Sequence, residues 1–224
     1  MTASKLWKCL YNTPQSLGNA TENQSPVEGW AGKHPVFDYL IKLIKPIIIV
    51  EVGSWKGQSA ITMAKSLDEN KIPGAILCID TWLGSSEHSD TEIFDLKTGQ
   101  NHLYNAFRSN VVSSGYGQYI VPLARNSIVG AQILEMNQVK ADLIYIDASH
   151  DYNSVYADIR AFLNIKSDNG IIFGDDYYSQ FPGVIRAVEE IADERSMKVI
   201  TIDGKWILER KDTLRVEKER VKQL

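Results

Sequence analysis

The stretch "IIIVEVGSWKGQS", residues 47–59, decides the fold of this chain. It opens with a β-branched run, which is typical of a strand buried on both faces of a parallel sheet. The run leads into a loop that holds Gly53 and Gly57, and a helix-like segment follows. Glycines at such a turn let the backbone approach a ligand, and a helix N-terminus offers N–H groups without partners inside the helix. The stretch therefore predicts a strand, a ligand-binding loop and a helix.

The acid within this stretch narrows the class of ligand. The spacing is E-x-G-x-x-x-G from Glu51, and it differs from the G-x-G-x-x-G of dinucleotide-binding loops. A carboxylate at the strand end meets an amine or a hydroxyl better than a pyrophosphate, so Glu51 favours a ligand that carries a cation. The alternative for the two glycines is an ordinary strand-to-helix turn.

The rest of the chain alternates between strand and helix patterns. Parallel doubly wound sheets are built in this way, with helices on both faces. A Gly-Lys turn between the last two strands indicates an antiparallel hairpin. The predicted fold is α/β, a doubly wound and mostly parallel seven-stranded sheet with a C-terminal antiparallel hairpin. The predicted strands cover 47–53, 75–82, 118–124, 141–147, 170–176 and the two arms of 197–210.

Three segments stand apart from this pattern. Residues 1–33 are interpreted as an irregular N-terminal leader, and residues 34–210 as the ligand-binding domain. Residues 84–100 are polar and too long for a tight connection, which favours a lid or substrate loop. The charged tail 211–224 is interpreted as a solvated helix or a disordered segment, with a contact in a homo-oligomer as the alternative.

Composition restricts the partners. The chain has 224 residues, 44% hydrophobic and 23% charged, with a net charge of −4, so it lacks the basic excess expected for binding nucleic acid or an anionic membrane. Cys9 and Cys78 are its only cysteines and suggest neither a disulfide framework nor a zinc site. No signal-peptide pattern or apolar run of about 20 residues occurs. We therefore expect a cytoplasmic enzyme or binding protein with a small-molecule partner.

Polar residues follow the second and third predicted strands. Asp80 ends "CIDTW", and an acid at this place in doubly wound folds accepts hydrogen bonds from ribose hydroxyls. Trp82 next to it could stack on an adenine, or pack in the core or a lid. Ser127, in "LARNS", is either a neighbour of the ligand or a helix N-cap.

The fourth and fifth strands both end in acids, Asp147 on one and the pair Asp175 and Asp176 on the other. Adjacent parallel strands would bring these carboxylates together at the sheet edge where ligands bind. Clustered carboxylates repel each other, and a hard cation such as Mg²⁺ relieves the repulsion. The pattern predicts a site for Mg²⁺ or another divalent cation. The alternative is that one aspartate caps a helix and another faces solvent.

Taken together, "EVGSWKGQS", "CIDTW", "DLIYIDASHDY" and "NGIIFGDDY" resemble motifs of the class I S-adenosylmethionine (SAM)-dependent methyltransferases. More narrowly, the chain resembles the metal-dependent O-methyltransferases, which include catechol, caffeoyl-CoA and macrolide-sugar enzymes. The resemblance runs from about residue 35 to residue 210 and implies a Rossmann-like methyltransferase fold.

The resemblance also implies roles for individual residues. Asp147, Asp175 and Asp176 match the metal ligands, and His150 matches the position of a proposed general base in the macrolide-sugar enzymes. The catechol enzymes have a lysine nearby, where this sequence has Ser149, His150 and Asp151. The cofactor site would be formed by Glu51, Gly53, Ser54, Gly57, Ser59, Asp80, Trp82 and Ser127.

The predicted function is a SAM-dependent and Mg²⁺-dependent O-methyltransferase that acts on a small-molecule hydroxyl, with a sugar or aliphatic hydroxyl favoured over a catechol. Methyl transfer from a sulfonium is an in-line displacement, which needs a positioned and deprotonated oxygen. A cation on Asp147 would polarise that oxygen, and His150 would take its proton. Two alternatives stay open, a nucleotide-dependent oxidoreductase or hydroxylase on the same sheet and a non-catalytic SAM-binding subunit.

Overall fold

The sheet at the centre of the protein brings the carboxyl ends of five parallel strands to one edge. A computed structural model describes residues 1–12, 17, 32–85, 93–211 and 216. The strands are β1 Ile48–Val52, β2 Ala75–Asp80, β3 Phe94–Asp95, β4 Gln100–Asn101, β5 Ile120–Ala124, β6 Ala141–Ile146, β7 Lys166–Gly174, β8 Met197–Ile202 and β9 Lys205–Arg210. The helices are α1 Ala3–Tyr11, α2 Val36–Ile44, α3 Gln58–Glu69, α4 Leu103–Ser113, α5 Ser127–Met136, α6 Tyr152–Ile165 and α7 Pro182–Glu194.

Seven strands form the main sheet in the order β5-β2-β1-β6-β7-β9-β8, and β3 pairs with β4 separately. The first five strands in this order are parallel, while β9 runs antiparallel to both of its neighbours. The order reverses between β1 and β6, and open α/β sheets bind ligands beyond the carboxyl ends of the strands at such a switch point. The predicted fold class is confirmed, including the C-terminal antiparallel hairpin.

Local sequence explains where the helices on the site edge begin. The N-cap Asn126 of α5 accepts a hydrogen bond from the backbone N–H of Val129 at 2.9 Å. The N-cap Asp151 of α6 accepts one from Ser154 at 3.0 Å. Each side chain satisfies an N–H that the helix leaves without a partner. Both helices therefore begin directly after a strand end, at the edge of the sheet where the site lies.

The prediction of an irregular leader over 1–33 is wrong for its first part. Ala3–Tyr11 form helix α1, which begins at the N-cap Thr2 and ends at Asn12 in the left-handed conformation. Its apolar side chains fall at helical spacing, and Leu6 and Trp7 are buried against the core. Burial of this face supplies the stability that so short a helix lacks alone. Most of residues 13–31 lie outside the described residues.

The predicted loop and tail are described only in part. Within 84–100, residues 93–100 belong to a small hairpin of β3 and β4, whereas 86–92 lie outside the described residues. In the tail, Val216 is buried and its backbone N–H donates to Glu209 at 2.9 Å, so this residue is not solvated as predicted. No helix in the described ranges has the length and apolarity needed to cross a membrane.

Candidate active site

A cavity of about 870 Å³ lies beyond the carboxyl ends of the parallel strands. Its size falls within the range of about 300–1,000 Å³ that small-molecule sites occupy. One end is lined by the loop after β1, and the other end by residues after β6 and β7. The predicted site residues that line it are Gly53, Ser54, Ser59, Asp80, Ser127, Asp147, His150, Asp175 and Asp176.

Asp80 holds the glycine loop in place. Its Oδ2 accepts hydrogen bonds from the backbone N–H groups of Ser54 and Trp55, both at 2.8 Å, and its Oδ1 accepts one from Trp82 at 2.7 Å. A carboxylate has about four lone-pair sites, so these bonds leave acceptor capacity toward the cavity. The arrangement orders the loop and keeps the predicted contact of Asp80 with a ribose open.

Gly53 allows two strand ends to approach each other. Its φ is +85°, and a Cβ built there would lie 2.0 Å from the backbone oxygen of Asp147. Its N–H donates to Ile79 at 2.9 Å, while the N–H of Asp147 donates to Val52 at 2.8 Å. Only glycine combines this conformation with so close a contact. The glycine predicted from the sequence therefore joins the loop after β1 to the acid after β6.

Glu51 has a structural place beneath the loop. It is fully buried, and its carboxylate accepts hydrogen bonds from the hydroxyls of Ser54 at 2.5 Å and Ser59 at 2.6 Å. Burial is the largest cause that raises its pKa. Glu51 is not among the residues that line the cavity, so its predicted contact with a cation-bearing ligand stays a prediction.

Two further predicted residues also support the loop from outside the cavity lining. Trp82 is 2% exposed, its indole N–H donates to the backbone oxygen of Trp55 at 3.0 Å, and its ring packs on Phe107 at 4.8 Å between centroids. Gly57 is the N-cap of α3 with a φ of +89°. Of the two interpretations of Trp82, the structure places it in the core.

Ser127 lines the cavity together with an acid that sequence reasoning missed. Asp158, on α6, lines the same wall, is 4% exposed and accepts a hydrogen bond from Ser127. Burial raises the pKa of Asp158 to about 6. The N-cap of α5 is Asn126, so Ser127 is the first residue of the helix. A buried polar residue on the inner face of α6 breaks its apolar pattern, and that break was the available signal.

The three acids of the predicted metal site separate into two groups. Asp147 and Asp175 meet at the hydroxyl of Tyr145, which lies 2.8 Å from Oδ2 of Asp147 and 3.3 Å from Oδ2 of Asp175. The ammonium of Lys205 forms an ion pair with Asp175 and donates to the Tyr145 hydroxyl at 2.9 Å. Burial and the Asp175 carboxylate raise the pKa of Asp147 to about 8, against the opposing effect of Lys205.

Asp176 turns away from this group toward His150. Its φ is +64°, in the left-handed region that is uncommon for residues other than glycine, and its carboxylate Oδ2 lies 3.0 Å from Nε2 of His150. The imidazole also packs on the ring of Phe181, with 4.4 Å between centroids. Such backbone conformations persist where the surroundings hold them, and they cluster at functional sites. The backbone of Asp176 therefore supports a defined histidine–carboxylate pair.

This arrangement does not fit a divalent cation on the three acids. One oxygen of Asp175 is bound by Lys205 and the other accepts the N–H of Asp176 at 2.9 Å. Within the described ranges, no group of three or more His, Cys, Asp or Glu side chains is arranged to hold a metal ion. The predicted cation stays a prediction.

Sequence reasoning also missed Tyr145 and Lys205. Tyr145 lies two residues before Asp147, so strand alternation places both on one face of the sheet. That spacing was an available signal. Lys205 comes from the last hairpin, and its proximity to Asp175 depends on the register of β9 against β7, in which Gly174 lies opposite Trp206.

Comparison with known proteins gives the family. A model of the family described as "Methyltransferase domain" matches residues 50–177, more than half of the chain. The protein belongs to this methyltransferase family. The match covers the glycine loop, Asp80, Asp147, His150 and both acids after β7. The predicted resemblance to class I SAM-dependent methyltransferases and the predicted enzyme class are confirmed.

Solved structures show the same fold at low sequence identity. The calicheamicin methyltransferase CalS11 has a TM-score of 0.59 at 18% identity, over 79% of this chain and 78% of its own. An O-methyltransferase from Bacillus cereus, in complex with SAH, has a TM-score of 0.59 at 17% identity over 83% of each chain. SAH-bound PaMTH1 from Podospora anserina has a TM-score of 0.58 at 16% identity, over 79% of this chain and 77% of its own. A search of curated proteins found no match.

Proposed function

We propose that this methyltransferase transfers the methyl group of SAM to a hydroxyl oxygen of a small molecule. The observation that carries the proposal is the juxtaposition in one cavity of the Asp80-held glycine loop and the His150–Asp176 pair. The loop would bind the cofactor, and the His150–Asp176 pair would act as the general base. Two structural neighbours that contain SAH support the identity of the cofactor.

The cofactor would lie along the loop after β1 and the ends of β2 and β5. The loop supplies closely approachable backbone at Gly53, and Asp80 keeps acceptor capacity for ribose hydroxyls. Asp158 and Ser127, on the wall formed by α6 and α5, would face the adenosine end. Glu51 and Trp82 would act indirectly by holding the loop.

The chemistry requires an oxygen nucleophile in line with the methyl–sulfur bond. As the new carbon–oxygen bond forms, the carbon–sulfur bond breaks and its electron pair stays on sulfur, which gives SAH. The hydroxyl proton passes to a general base. The acceptor-facing residues therefore have two tasks, which are to orient the oxygen about 3–3.5 Å from the methyl carbon and to take its proton.

The His150–Asp176 pair is placed to take that proton as a unit. Nδ1 of His150 is buried, so the edge of the ring toward an acceptor is the Nε2 edge that carries Asp176. Both side chains keep partial exposure, 23% and 20%, in the wall of the cavity. A hydroxyl at this edge could pass its proton to the carboxylate of Asp176, while the N–H at Nε2 of His150 donates to that carboxylate and holds it in position.

A sugar hydroxyl is the acceptor class that we propose. The neighbour CalS11 is described as a TDP-rhamnose 3'-O-methyltransferase. The stretch near the lysine of the catechol enzymes is Ser149, His150 and Asp151 here, and the first two line the cavity. The predicted Mg²⁺ is not part of this proposal, because Lys205 and the backbone N–H of Asp176 bind the oxygens of Asp175, and Asp176 contacts His150.

Calorimetric titration with SAM and SAH tests the cofactor first. Transfer of labelled methyl from SAM to a panel of nucleotide sugars, free sugars, aliphatic alcohols and catechols then tests the reaction. We expect SAH binding and methylation of a sugar hydroxyl. Absence of SAM and SAH binding would contradict the function altogether. Tight binding without transfer to any hydroxyl would favour a non-catalytic SAM-binding subunit, and a co-purified nicotinamide nucleotide would favour the oxidoreductase alternative.

A further inference from the structure

The side chain of Lys205 is buried in the core beside the active site. Its relative exposure is 0%, and its ammonium lies 5.2 Å from the ring centroid of Tyr145 and 5.5 Å from that of Phe37. Lysine is almost never fully buried unless its charge is paired. The aromatic faces stabilise the cation only in part, so a buried anion must account for the rest.

That anion belongs to the carboxylate cluster at the end of β6 and β7. Lys205 forms an ion pair with Asp175 and donates to the hydroxyl of Tyr145, which in turn donates to Asp147 at 2.8 Å. One continuous chain of hydrogen bonds thus runs from the ammonium to a carboxylate that lines the cavity. Asp175, which is buried, and Asp147, which is half-buried, are held together around one positive charge.

A divalent cation bound by the same acids would also neutralise the repulsion between their carboxylates. Clustered carboxylates need a positive charge nearby, and Mg²⁺ supplies it through near-ideal octahedral oxygen coordination. Here one oxygen of Asp175 is bound by the ammonium, and the other by the N–H of Asp176. A metal ion beside the ammonium would displace it or meet its repulsion.

We propose that Lys205 replaces the divalent cation in this cluster, so that the protein binds no metal ion there and its methyl transfer proceeds without one. The part that concerns methyl transfer rests on the proposed function, whereas the part that concerns metal binding does not.

Manganese binding to the whole chain tests the proposal without any acceptor. After treatment with EDTA and removal of the chelator, Mn²⁺ is titrated and its free fraction is followed by electron paramagnetic resonance. We expect no Mn²⁺ uptake by the wild type at millimolar concentration. We expect Lys205→Met, which keeps the stem and removes the charge, to take up one Mn²⁺. Its Tm should then rise by roughly 5 °C at saturating metal.

Two variants complete the design. Lys205→Met/Asp175→Asn removes both charges of the ion pair, so it should fold without metal and take up no Mn²⁺. Lys198→Met removes a lysine from β8 of the same hairpin and should behave as the wild type. Folding of Lys205→Met only when Mn²⁺ is present would also support the proposal.

Three results would overturn the proposal. One is stoichiometric Mn²⁺ binding by the wild type, which decides the matter even where no variant folds. Another is a folded Lys205→Met that takes up no Mn²⁺. The third is methyl transfer by the wild type that EDTA abolishes and Mg²⁺ restores. If no acceptor is methylated at all, the proposed function fails, and the Mn²⁺ titration still reports on Lys205.

Discussion

Nε2 of His150 lies 3.0 Å from Oδ2 of Asp176, and the two side chains belong to loops that follow different strands. His150 comes after β6 and Asp176 comes after β7, so their contact depends on the parallel pairing of these strands. Because Asp176 adopts a left-handed conformation to reach the imidazole, it cannot at the same time extend the acid pair with Asp175. The contact therefore divides the acidic residues into a proton-transfer pair and a buried ion-paired cluster.

Substitution of the pair should reduce turnover more than cofactor affinity. We expect His150→Ala and Asp176→Asn each to lower the rate of methyl transfer by about 10²–10⁴-fold, because each removes the unit that takes the hydroxyl proton. SAH affinity should change little. Single-turnover methylation and SAH calorimetry measure the two effects separately. Asp151→Asn is the control, since Asp151 caps α6 next to His150 without lining the cavity. Equal losses of rate and SAH affinity would argue for a structural histidine.

The contact between Gly53 and Asp147 should tolerate no side chain. We expect Gly53→Ala to lower the free energy of unfolding by about 3 kcal/mol or more and to abolish SAH binding, because its Cβ would lie 2.0 Å from a backbone oxygen. Gly99→Ala is a matched control. Gly99 also has a positive φ, of +68°, but nothing lies within 4 Å of its Cβ.

Urea unfolding of both alanine variants separates the cost of a positive φ from the cost of the steric clash at Gly53. Gly99→Ala should show only the conformational part, about 1 kcal/mol. If the two variants lost equal stability, the close approach of Gly53 to Asp147 would have no energetic consequence. The prediction that this contact requires a glycine at position 53 would then be wrong.

The carboxylate of Asp80 should matter for both loop order and cofactor affinity. We expect Asp80→Asn to lower the free energy of unfolding by roughly 1.5–3 kcal/mol. The three backbone N–H groups bind both carboxylate oxygens, whereas an amide has only one oxygen that can accept them. SAH should bind more weakly. Asp95→Asn is the comparison, because Asp95 also accepts two backbone N–H bonds, from Lys97 and Thr98, in an exposed turn away from the cavity. SAH affinity unchanged in Asp80→Asn would exclude a role of Asp80 in the cofactor site.

Asp158 should make stability fall with rising pH. Burial raises its pKa in the folded protein from its usual 3.8 to about 6, so the folded state binds more protons than the unfolded state between these values. Stability from this group is complete below about pH 4 and is lost as pH rises to about 6. The shift corresponds to roughly 3 kcal/mol. Urea unfolding from pH 4 to 7 should show a flatter profile for Asp158→Asn than for the wild type. Parallel profiles would contradict the buried state of this acid.

Strand ends were the features most readable from the sequence. The β-branched run 47–50 predicted β1, and parallel topology then brought Asp80, Asp147 and Asp175 to one edge. The same logic predicted that Asp147, Asp175 and Asp176 together need a cation. Local patterns carry this information because strand period and turn residues depend on neighbours in the chain.

The sequence did not show which positive charge neutralises the acids. Lys205 lies 30 residues after Asp175 in the chain, and its contact depends on strand register and side-chain direction. A lysine beside a glycine in a hairpin turn suggests solvent exposure, and nothing local distinguishes this buried one. The turn of Asp176 toward His150 likewise depends on a single left-handed residue, which sequence patterns do not specify for an aspartate.

The position of β9 has a consequence for how the site is assembled. This strand follows β8 in the chain but lies between β7 and β8 in the sheet, and its first residue is Lys205. Until β9 inserts, Asp175 has no buried counter-ion, so the acidic end of the sheet cannot leave water at low free energy. Desolvation of the acidic end of the sheet is therefore coupled to insertion of β9, so the last hairpin completes the active site.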